Sequence, residues 1–288
     1  MPTATIRAYA KLNLHLDVLG RRADGYHRLE TIFQTIGLHD EIILERDPTG
    51  QGISLTCDQL GVPADATNLV WRAAAAFIAG REAQAGGLAL HLRKGVPHGA
   101  GLGGGSSDAA ATLRLLAHLL PGWHDASSLH LLAAKLGSDV PFFLVGGTAL
   151  GEERGEVLTP LADAPPMPVT VLMPAAHLLT PAVFAALTTE ERGPRAGRGV
   201  AWWRQQMTAE MWPQILHNRL TAAAVRLCPA VGTLLAHLHG QGVPCLMSGS
   251  GAACFALAAC TPPSGVSAWP TTFISRTEAL ASPCSKAR

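Results

Sequence analysis

The chain has 288 residues, a length typical of about two domains; 48% are hydrophobic, 15% are charged, and the net charge is +1. This balance is that of a globular protein with a large core, and it favours neither a nucleic acid nor an anionic membrane as a partner. The six cysteines include no CxxC pair and no zinc-ligand spacing, which indicates free thiols in a reducing cytoplasm. The first residues resemble no signal or transit peptide, so we expect a cytoplasmic protein.

Strands are the first predicted elements of the chain. Alternating and β-branched patterns predict strands over residues 5–13, 15–19, 40–45, 52–56 and 88–92, with a loop at 22–27. Alanine- and leucine-rich segments predict helices over 68–79, 107–120 and 126–136. Two short apolar runs, 142–145 and 148–151, predict strands on either side of a Gly-Gly pair.

A proline-rich connection divides the chain. Residues 162–168 contain three prolines in seven positions, and we predict a boundary between domains 1–162 and 163–288. The second domain is predicted to contain a strand at 169–173, helices after 180 and over 200–211, 215–227 and 230–239, and an exposed loop at 188–199. The uncharged segment 242–260 contains Pro244 and an SGSG turn, so it predicts two buried strands around a loop and not a membrane span. We expect a frayed tail at 282–288, and the mixture of elements predicts a two-lobed α+β fold.

The most specific motif is the glycine-rich run PHGAGLGGGSSD at residues 97–108, which leads into the helix predicted from 107. Glycines let backbone amides approach a ligand closely, and a helix N-terminus adds unpaired N–H groups and the positive end of a dipole. Loop and helix start together predict a nucleotide phosphate site. The residues assigned to it are Pro97, His98, Gly99, Ala100, Gly101, Leu102, Gly103, Gly104, Gly105, Ser106 and Ser107.

Other phosphate loops fit this run less well. Its GxGxxG pattern lacks the acid that should end a second strand about 20 residues later, because Asp125 follows a helix and a Pro-Gly break. No Gly-Lys-Ser/Thr of a Walker A loop is present, and neither HRD nor DFG of protein kinases occurs. A flexible glycine linker is disfavoured because Leu102 and the helix start lie in ordered-looking sequence.

The glycine run resembles the phosphate loop of the GHMP kinase superfamily. Residues 136–143 (LGSDVPFF) resemble its acidic catalytic motif, and residues 246–251 (LMSGSG) resemble its second glycine-rich motif. The segments AKLNL at 10–14 and GYHRL at 25–29 resemble the branch that phosphorylates 4-diphosphocytidyl-2-C-methyl-D-erythritol. The resemblance implies an N-terminal lobe like domain 2 of ribosomal protein S5 and a ferredoxin-like C-terminal lobe. It also implies ATP as co-substrate, Mg²⁺, and a small-molecule acceptor that carries cytidine diphosphate.

Phosphoryl transfer to an alcohol requires a proton acceptor and charge neutralisation. We expect Asp139 to be the acceptor, with a helix cap as its alternative role. Lys11 is the expected charge partner, since this chain uses lysine at only four positions, and its alternative is a solvated lysine at a strand end. Asn13 shares the strand face of Lys11 and is expected to bind substrate or to satisfy buried backbone groups. Ser106 and Ser107 are expected to contact phosphate or Mg²⁺, or to cap the helix.

The acceptor is expected to meet aromatic side chains. Tyr26, one of two tyrosines, lies in an Asp-Gly-Tyr-His loop where its ring can stack on a pyrimidine; a surface tyrosine is the alternative. The resemblance implies that Phe184 covers the other face of cytosine and that His27 hydrogen-bonds the base. Thr180 is expected in the same site, or as a helix N-cap.

Two other functions remain open at this point: a kinase of the same fold for mevalonate-type, homoserine or sugar alcohols, and a nucleotide-binding regulator without catalysis. Two positions depart from the family pattern, since Asp108 stands where some members carry Asn, and Arg219 stands where an acidic residue is usual. The sequence predicts neither the Mg²⁺ ligands nor the oligomeric state.

Overall fold

The computed structural model describes residues 3–193 and 212–286. Its strands are β1 (Thr3–Arg21), β2 (His27–Asp47), β3 (Ile53–Cys57), β4 (Gly87–Arg93), β5 (Thr148–Glu153), β6 (Val157–Pro160), β7 (Pro168–Pro174), β8 (His217–Asn218), β9 (Cys245–Met247), β10 (Cys254–Ala256), β11 (Val266–Thr272) and β12 (Cys284–Lys286). Its helices are α1 (Leu69–Ile78), α2 (Glu82–Ala85), α3 (Gly104–Leu119), α4 (Ala126–Leu136), α5 (Phe142–Val145), α6 (Thr180–Ala185), α7 (Trp212–Ile215), α8 (Thr221–Leu227), α9 (Pro229–Gly240) and α10 (Arg276–Ala279).

The large sheet is built around two long antiparallel strands, β1 and β2. Its order is β12-β1-β2-β4-β3, with β5 and β6 continuing from β2 and with β8 parallel to β1. Helices α1, α3 and α4 cover one face, where Phe77, Leu113 and Phe142 are among the buried side chains of a single core cluster. Burial of this apolar face is the main favourable term that holds the helices on the sheet.

The small sheet has the order β11-β7-β10-β9, and α8 and α9 belong to the core cluster on one of its sides. A separate cluster lies between the two sheets and joins Leu12 and Ile36 of the large sheet to Val171, Phe255 and Phe273. The two sheets therefore share a core. This shared core fixes the position of β1 relative to the loop between β9 and β10.

The predicted α+β class is confirmed, and the strand and helix predictions of the first half largely match the structure. One of them is wrong: residues 142–145 form the short helix α5 and not a strand. A short apolar run does not distinguish a buried strand from a buried helix. The described part of the chain contains no helix that is both long and apolar enough to cross a membrane.

The second half differs more from prediction. Residues 215–227 are not one helix but the end of α7, strand β8 and helix α8. The expected frayed tail instead contains β12, which pairs with Thr3–Thr5 of β1. Strand β11 and helix α10 were not predicted. The helix predicted at 200–211 and part of the predicted loop at 188–199 lie outside the described residues. The domain division at 162/163 stays a prediction; β8 and β12, from the second half, pair with β1.

A buried charge cluster fastens the glycine run to the large sheet. The Lys94 side chain is 5% exposed; its ammonium donates to Asp40 and, at 2.9 Å, to Asp108 Oδ2 in the first turns of α3. Asp40 Oδ1 also accepts from the amides of Gly95 and Val96, at 2.7 and 2.8 Å. The cluster thus joins β2, the segment that enters the glycine run, and the helix that leaves it.

We predict that Lys94→Met destabilises the protein by about 3–5 kcal/mol, because it leaves the two buried acidic side chains of the cluster without their cation. The measurement is the free energy of unfolding from denaturant titration. Lys135→Met removes an exposed lysine on α4 and is the matched control, for which we expect a change within about 0.5 kcal/mol. A loss below about 1 kcal/mol in Lys94→Met would contradict the proposed importance of the cluster.

Burial and the charge of Asp40 raise the pKa of Asp108 well above its usual range, although Lys94 opposes this shift. The native state therefore binds this proton more tightly than the unfolded state. The corresponding stability is present below the unfolded pKa of about 3.9 and is lost as the pH rises towards the raised native pKa. Asp108→Asn removes this titrating group. We therefore predict that the stability advantage of the wild type over the variant, measured as the difference in their free energies of unfolding, falls as the pH rises. Parallel pH curves would refute the prediction.

Candidate active site

The centre of the candidate site is a distorted stretch of β1. Register shifts occur after Tyr9 and after Asn13 in the pairing of β1 with β2, so the segment between them is displaced from the regular ladder. Such bulges re-aim side chains next to functional sites. Here the Lys11 amide donates to the Leu102 carbonyl of the glycine run at 3.0 Å. The strand that carries Lys11 is thereby joined directly to the predicted phosphate loop.

The structure brings Lys11 and Asp139 together. Lys11 Nζ lies 3.5 Å from Asp139 Oδ2, and the side chains are 5% and 32% exposed. Burial of Lys11 excludes the alternative of a solvated strand-end lysine. Asp139 lies in the turn before α5. The N-cap of α5 is Pro141, and no side chain forms a capping hydrogen bond there, so Asp139 is not used as a helix cap. Its partly exposed carboxylate faces a cavity of about 280 Å³ that Lys11 also lines.

Asn13 orients Lys11. Lys11 Nζ donates to Asn13 Oδ1 at 2.5 Å, and Asn13 Nδ2 donates to Thr31 Oγ1 at 2.7 Å. Thr31 in turn donates to the His15 carbonyl at 2.7 Å. This buried chain fixes the direction of the ammonium. Asn13 lines the same cavity, and its predicted contact with substrate stays a prediction.

The glycine run forms a loop that no bulkier residues could form. Gly103 is the N-cap of α3 with a φ of +73°, and a Cβ there would lie 2.7 Å from the Phe143 ring. Gly101 has a φ of +77°, and its Cβ would lie 2.7 Å from the Ser248 carbonyl oxygen. No side chain caps α3, so the amides of its first turn remain available to an anion. A cavity of about 570 Å³ lies against the run and is also lined by Asn68 and Lys94.

The two serines of the run face in different directions. Ser107 is buried, and its hydroxyl donates to the Tyr9 carbonyl at 2.6 Å, so its donor is used within the fold. Ser106 lines the 570 Å³ cavity, as do the assigned loop residues Pro97 through Gly105. Ser106 is therefore the serine with access to a phosphate or a metal ion.

The turn between β9 and β10 closes over the centre of the site. A Cβ at Gly249 would lie 3.4 Å from Asn13 Oδ1 and 3.6 Å from Lys11 Nζ. Asn218 is buried and its amide donates to the carbonyls of Met247 and Gly249, both at 2.8 Å. The Asn218 carboxamide thus holds the turn in place, and the turn brings the backbone of Gly249 next to Lys11.

Thr180 is the first residue of α6 and does not act as its N-cap. Its hydroxyl lies 2.7 Å from the Ser250 hydroxyl, with either atom able to donate. Both residues line the cavity that holds Lys11 and Asp139. The contact joins the turn after β9 to the helix that carries Phe184.

An aromatic cavity of about 640 Å³ adjoins this centre. It is lined by Tyr26, His27, Thr180 and Phe184, the residues predicted for the acceptor. His27 stacks on Phe184 with a centroid distance of 4.9 Å and an interplanar angle of 26°. Tyr26 is 58% exposed, and the Arg154 guanidinium lies 5.1 Å from its ring centroid. His27 and Phe184 are thus in contact, and all four predicted residues share one cavity; the predicted stacking of Tyr26 and Phe184 on the base stays a prediction.

His27 has an unused hydrogen-bonding nitrogen. Its Nε2 is buried without a partner among the described residues. Burial lowers the pKa of His27, and the charges of Arg192 and Arg21 lower it further. A neutral ring donates at one nitrogen and accepts at the other. Depending on its tautomer, His27 Nε2 can therefore donate a hydrogen bond to a base or accept one from it.

Several residues of the site were missed by the sequence reasoning. Arg154, Thr31 and Ser250 line the cavities and were not singled out, and neither was Asn218, which holds the turn after β9. No sequence motif marks these residues, because each contributes to the site through contacts with residues that are distant in the sequence. The departure at Arg219 has a structural explanation, since its guanidinium pairs with the buried carboxylate of Asp17.

Comparison with known proteins places the chain in a family. The family model described as the GHMP kinases N terminal domain matches residues 68–147. A relative from Geobacter metallireducens, named 4-diphosphocytidyl-2-C-methyl-D-erythritol kinase, is 39% identical over 265 residues, which cover 89% of this chain and 90% of the relative. A relative of the same name from Deinococcus radiodurans is 42% identical over 253 residues, which cover 87% and 83%.

Solved structures of related proteins point to the same family. A crystal structure of 4-(cytidine 5'-diphospho)-2C-methyl-D-erythritol kinase matches with a TM-score of 0.77 and 36% identity, over 93% of this chain and 98% of that one. L. major mevalonate kinase in complex with R-mevalonate matches with a TM-score of 0.67 and 16% identity, over 93% and 95%, which shows a shared fold alone. The predicted two-lobed GHMP kinase fold is confirmed. The chain belongs to the 4-diphosphocytidyl-2-C-methyl-D-erythritol kinase family.

Proposed function

We infer that the protein transfers the γ-phosphoryl group of ATP to the 2-hydroxyl of 4-diphosphocytidyl-2-C-methyl-D-erythritol, giving the 2-phosphate and ADP in non-mevalonate isoprenoid biosynthesis. The observation that carries the inference is the position of the Lys11–Asp139 pair. The pair lines a cavity next to the glycine run on one side and to the Tyr26–His27–Phe184 cavity on the other. A phosphate donor and a base-bearing acceptor can therefore meet at one carboxylate.

Asp139 is the proposed proton acceptor. As the acceptor oxygen attacks the γ-phosphorus, its proton passes to the Asp139 carboxylate and the bond to the ADP oxygen breaks. The Lys11 ammonium, fixed by Asn13, is placed to attract the phosphoryl oxygens while negative charge moves between donor and acceptor. Positioning and charge account for most of what such an enzyme must supply.

The donor site is proposed at the glycine run. Amides of Gly101 to Ser106 and the open N-terminus of α3 would bind the triphosphate, with the rest of the nucleotide in the 570 Å³ cavity. These groups are backbone atoms, so they bind phosphate by shape and dipole, without a mobile side chain.

Mg²⁺ is proposed as the accompanying ion. When bound, it neutralises charge on the β- and γ-phosphate oxygens. Within residues 3–193 and 212–286, no group of three or more His, Cys, Asp or Glu side chains is arranged to hold a metal. Mg²⁺ is commonly bound by substrate phosphates, water and one or two protein oxygens, so the proposal does not depend on such a group. The Ser106 hydroxyl, in the 570 Å³ cavity, would be such an oxygen.

The acceptor assignment is tested by a coupled ADP-release assay. We expect turnover with the cytidylyl substrate, slower turnover with its uridylyl analogue because the base edge differs, and none with mevalonate or homoserine. Comparable turnover with mevalonate or homoserine would overturn the acceptor while leaving the fold assignment intact. ATP binding with no product from any of the four would overturn the kinase assignment.

We predict that Asp139→Asn lowers kcat by about 10²- to 10⁴-fold, the usual share of general-base catalysis, while ATP still binds. Steady-state kinetics and a fluorescent-nucleotide titration measure the two effects. Asp125→Asn makes the same chemical change at the N-cap of α4, where Asn caps as well as Asp, and should leave both unchanged. A loss of less than tenfold in Asp139→Asn would refute the assignment.

We predict that Tyr26→Ala raises KM for the cytidylyl substrate by about 5- to 150-fold, the range that corresponds to losing one base–aromatic stack. KM for ATP should not change, because Tyr26 does not line the 570 Å³ cavity proposed for the nucleotide. Tyr26→Phe keeps the ring and is the control that should retain a nearly normal KM. Equal KM values for the Ala and Phe variants would show that Tyr26 does not stack on the base.

A further inference from the structure

Arg154 lies where the two halves of the acceptor site meet. The aromatic cavity and the cavity of Lys11 and Asp139 share five of their lining residues, and Arg154 is the charged one among them. The five residues are Leu29, Ser138, Arg154, Thr180 and Phe184. A molecule that extends from one cavity to the other must therefore pass this guanidinium.

The proposed acceptor has its charge in its middle. Its pyrimidine lies at one end, the hydroxyl to be phosphorylated at the other, and the diphosphate between them. If the pyrimidine occupies the aromatic cavity and the hydroxyl reaches Asp139, the diphosphate lies in the passage that contains Arg154. A guanidinium is the side chain best matched to phosphate, because its planar N–H groups can bind two oxygens at once.

Arg154 is held in place but not fully used. Its Nε lies 3.1 Å from Glu156 Oε1, and its backbone amide donates to Glu156 Oε2 at 2.8 Å. Its guanidinium also lies over the ring of Tyr26. Within the described residues no hydrogen bond is formed by its two terminal nitrogens, which are therefore available to a ligand.

The turn that carries Arg154 is constrained. Glu153, the preceding residue, has a φ of +61°, a conformation that costs a non-glycine residue about 1 kcal/mol or more unless its surroundings hold it. The carboxylate of Glu153 pairs with Arg22, which precedes the Tyr26 loop, and with the more exposed Arg28 of β2. Arg154 and Tyr26 are thus carried on elements that are tied to each other.

Two further arginines make the surroundings positive. Arg21 and Arg192 line the aromatic cavity, and in the described part of the chain neither has a carboxylate within 4.0 Å. Glu156 offsets one charge only. The net field along the cavity wall therefore attracts an anionic ligand, and Arg154 is the member placed at the passage itself.

We propose that Arg154 binds the diphosphate of the acceptor and is the residue that distinguishes a nucleoside diphosphate from a nucleoside at this site. The inference rests on the proposed function, because it takes the cytidylyl acceptor as the occupant of both cavities.

The test compares inhibition by CDP with inhibition by cytidine, measured against the acceptor at fixed ATP. The ratio of the two inhibition constants isolates the diphosphate, while the cytidine constant alone reports on the base. For Arg154→Gln we expect the preference for CDP over cytidine to fall by about 10- to 100-fold, as for loss of a charge-assisted pair of hydrogen bonds. The inhibition constant of cytidine should change less than threefold. Arg154→Lys keeps the charge and loses the planar fork, so its preference for CDP over cytidine should lie between that of the wild type and that of Arg154→Gln.

Arg28→Gln is the matched control. It removes a positive charge that pairs with Glu153, the neighbour of Arg154, but the Arg28 side chain is 58% exposed and does not line either cavity. Its CDP preference should match that of the wild type. A similar fall in Arg28→Gln would assign the effect to net charge and overturn the proposal.

The remaining outcomes are also decisive. An unchanged CDP preference in Arg154→Gln overturns the proposal, and so does a parallel rise of both constants, which would mean that Arg154 only supports Tyr26. If neither CDP nor cytidine inhibits the wild type, the proposed function itself fails. That failure is distinguishable, because it appears before any substitution at Arg154.

Discussion

The site depends on the attachment of the glycine run to backbone on both sides. On the side of the large sheet, the Lys11 amide of β1 donates to the Leu102 carbonyl at 3.0 Å. On the side of the small sheet, the amide of Ala253, which precedes β10, donates to the Ala100 carbonyl at 3.3 Å. A free glycine loop would lose much entropy on binding phosphate. Held between two sheets that share a core, this loop has already lost that freedom when the ligand arrives, so binding costs less.

The buried charge cluster also holds the glycine run in one position. Lys94, Asp40 and Asp108 form a cluster whose isolated members would each be costly to bury. Together they connect the entry of the loop to the helix that follows it. A buried ion cluster adds little net stability compared with apolar packing, but breaking it is expensive, so it is better understood as fixing one geometry than as strengthening the fold.

The parts of the structure that sequence could predict are those whose signal is local. The glycine run, α4 and the strand–turn–strand around Ser248 follow from adjacent residues, and Lys11 and Asp139 were identified through motifs. The direction of the Ser107 hydroxyl was not predictable, because its acceptor is the Tyr9 carbonyl on another element. Arg154 was missed for the same reason: the pairing of β5 with β2 places it opposite the Tyr26 loop, and nothing in its own neighbourhood of sequence indicates that.

The close approach at Gly101, where an added Cβ would meet a carbonyl oxygen, has a consequence for how the enzyme can vary. At the proposed donor end, this stretch of the loop is backbone packed against backbone, so a side chain introduced at Gly101 requires the loop to shift. The acceptor end is composed of side chains around an open volume. On the proposed function, a substitution at the acceptor end therefore alters the shape of the site without moving backbone, whereas one at Gly101 alters the backbone itself.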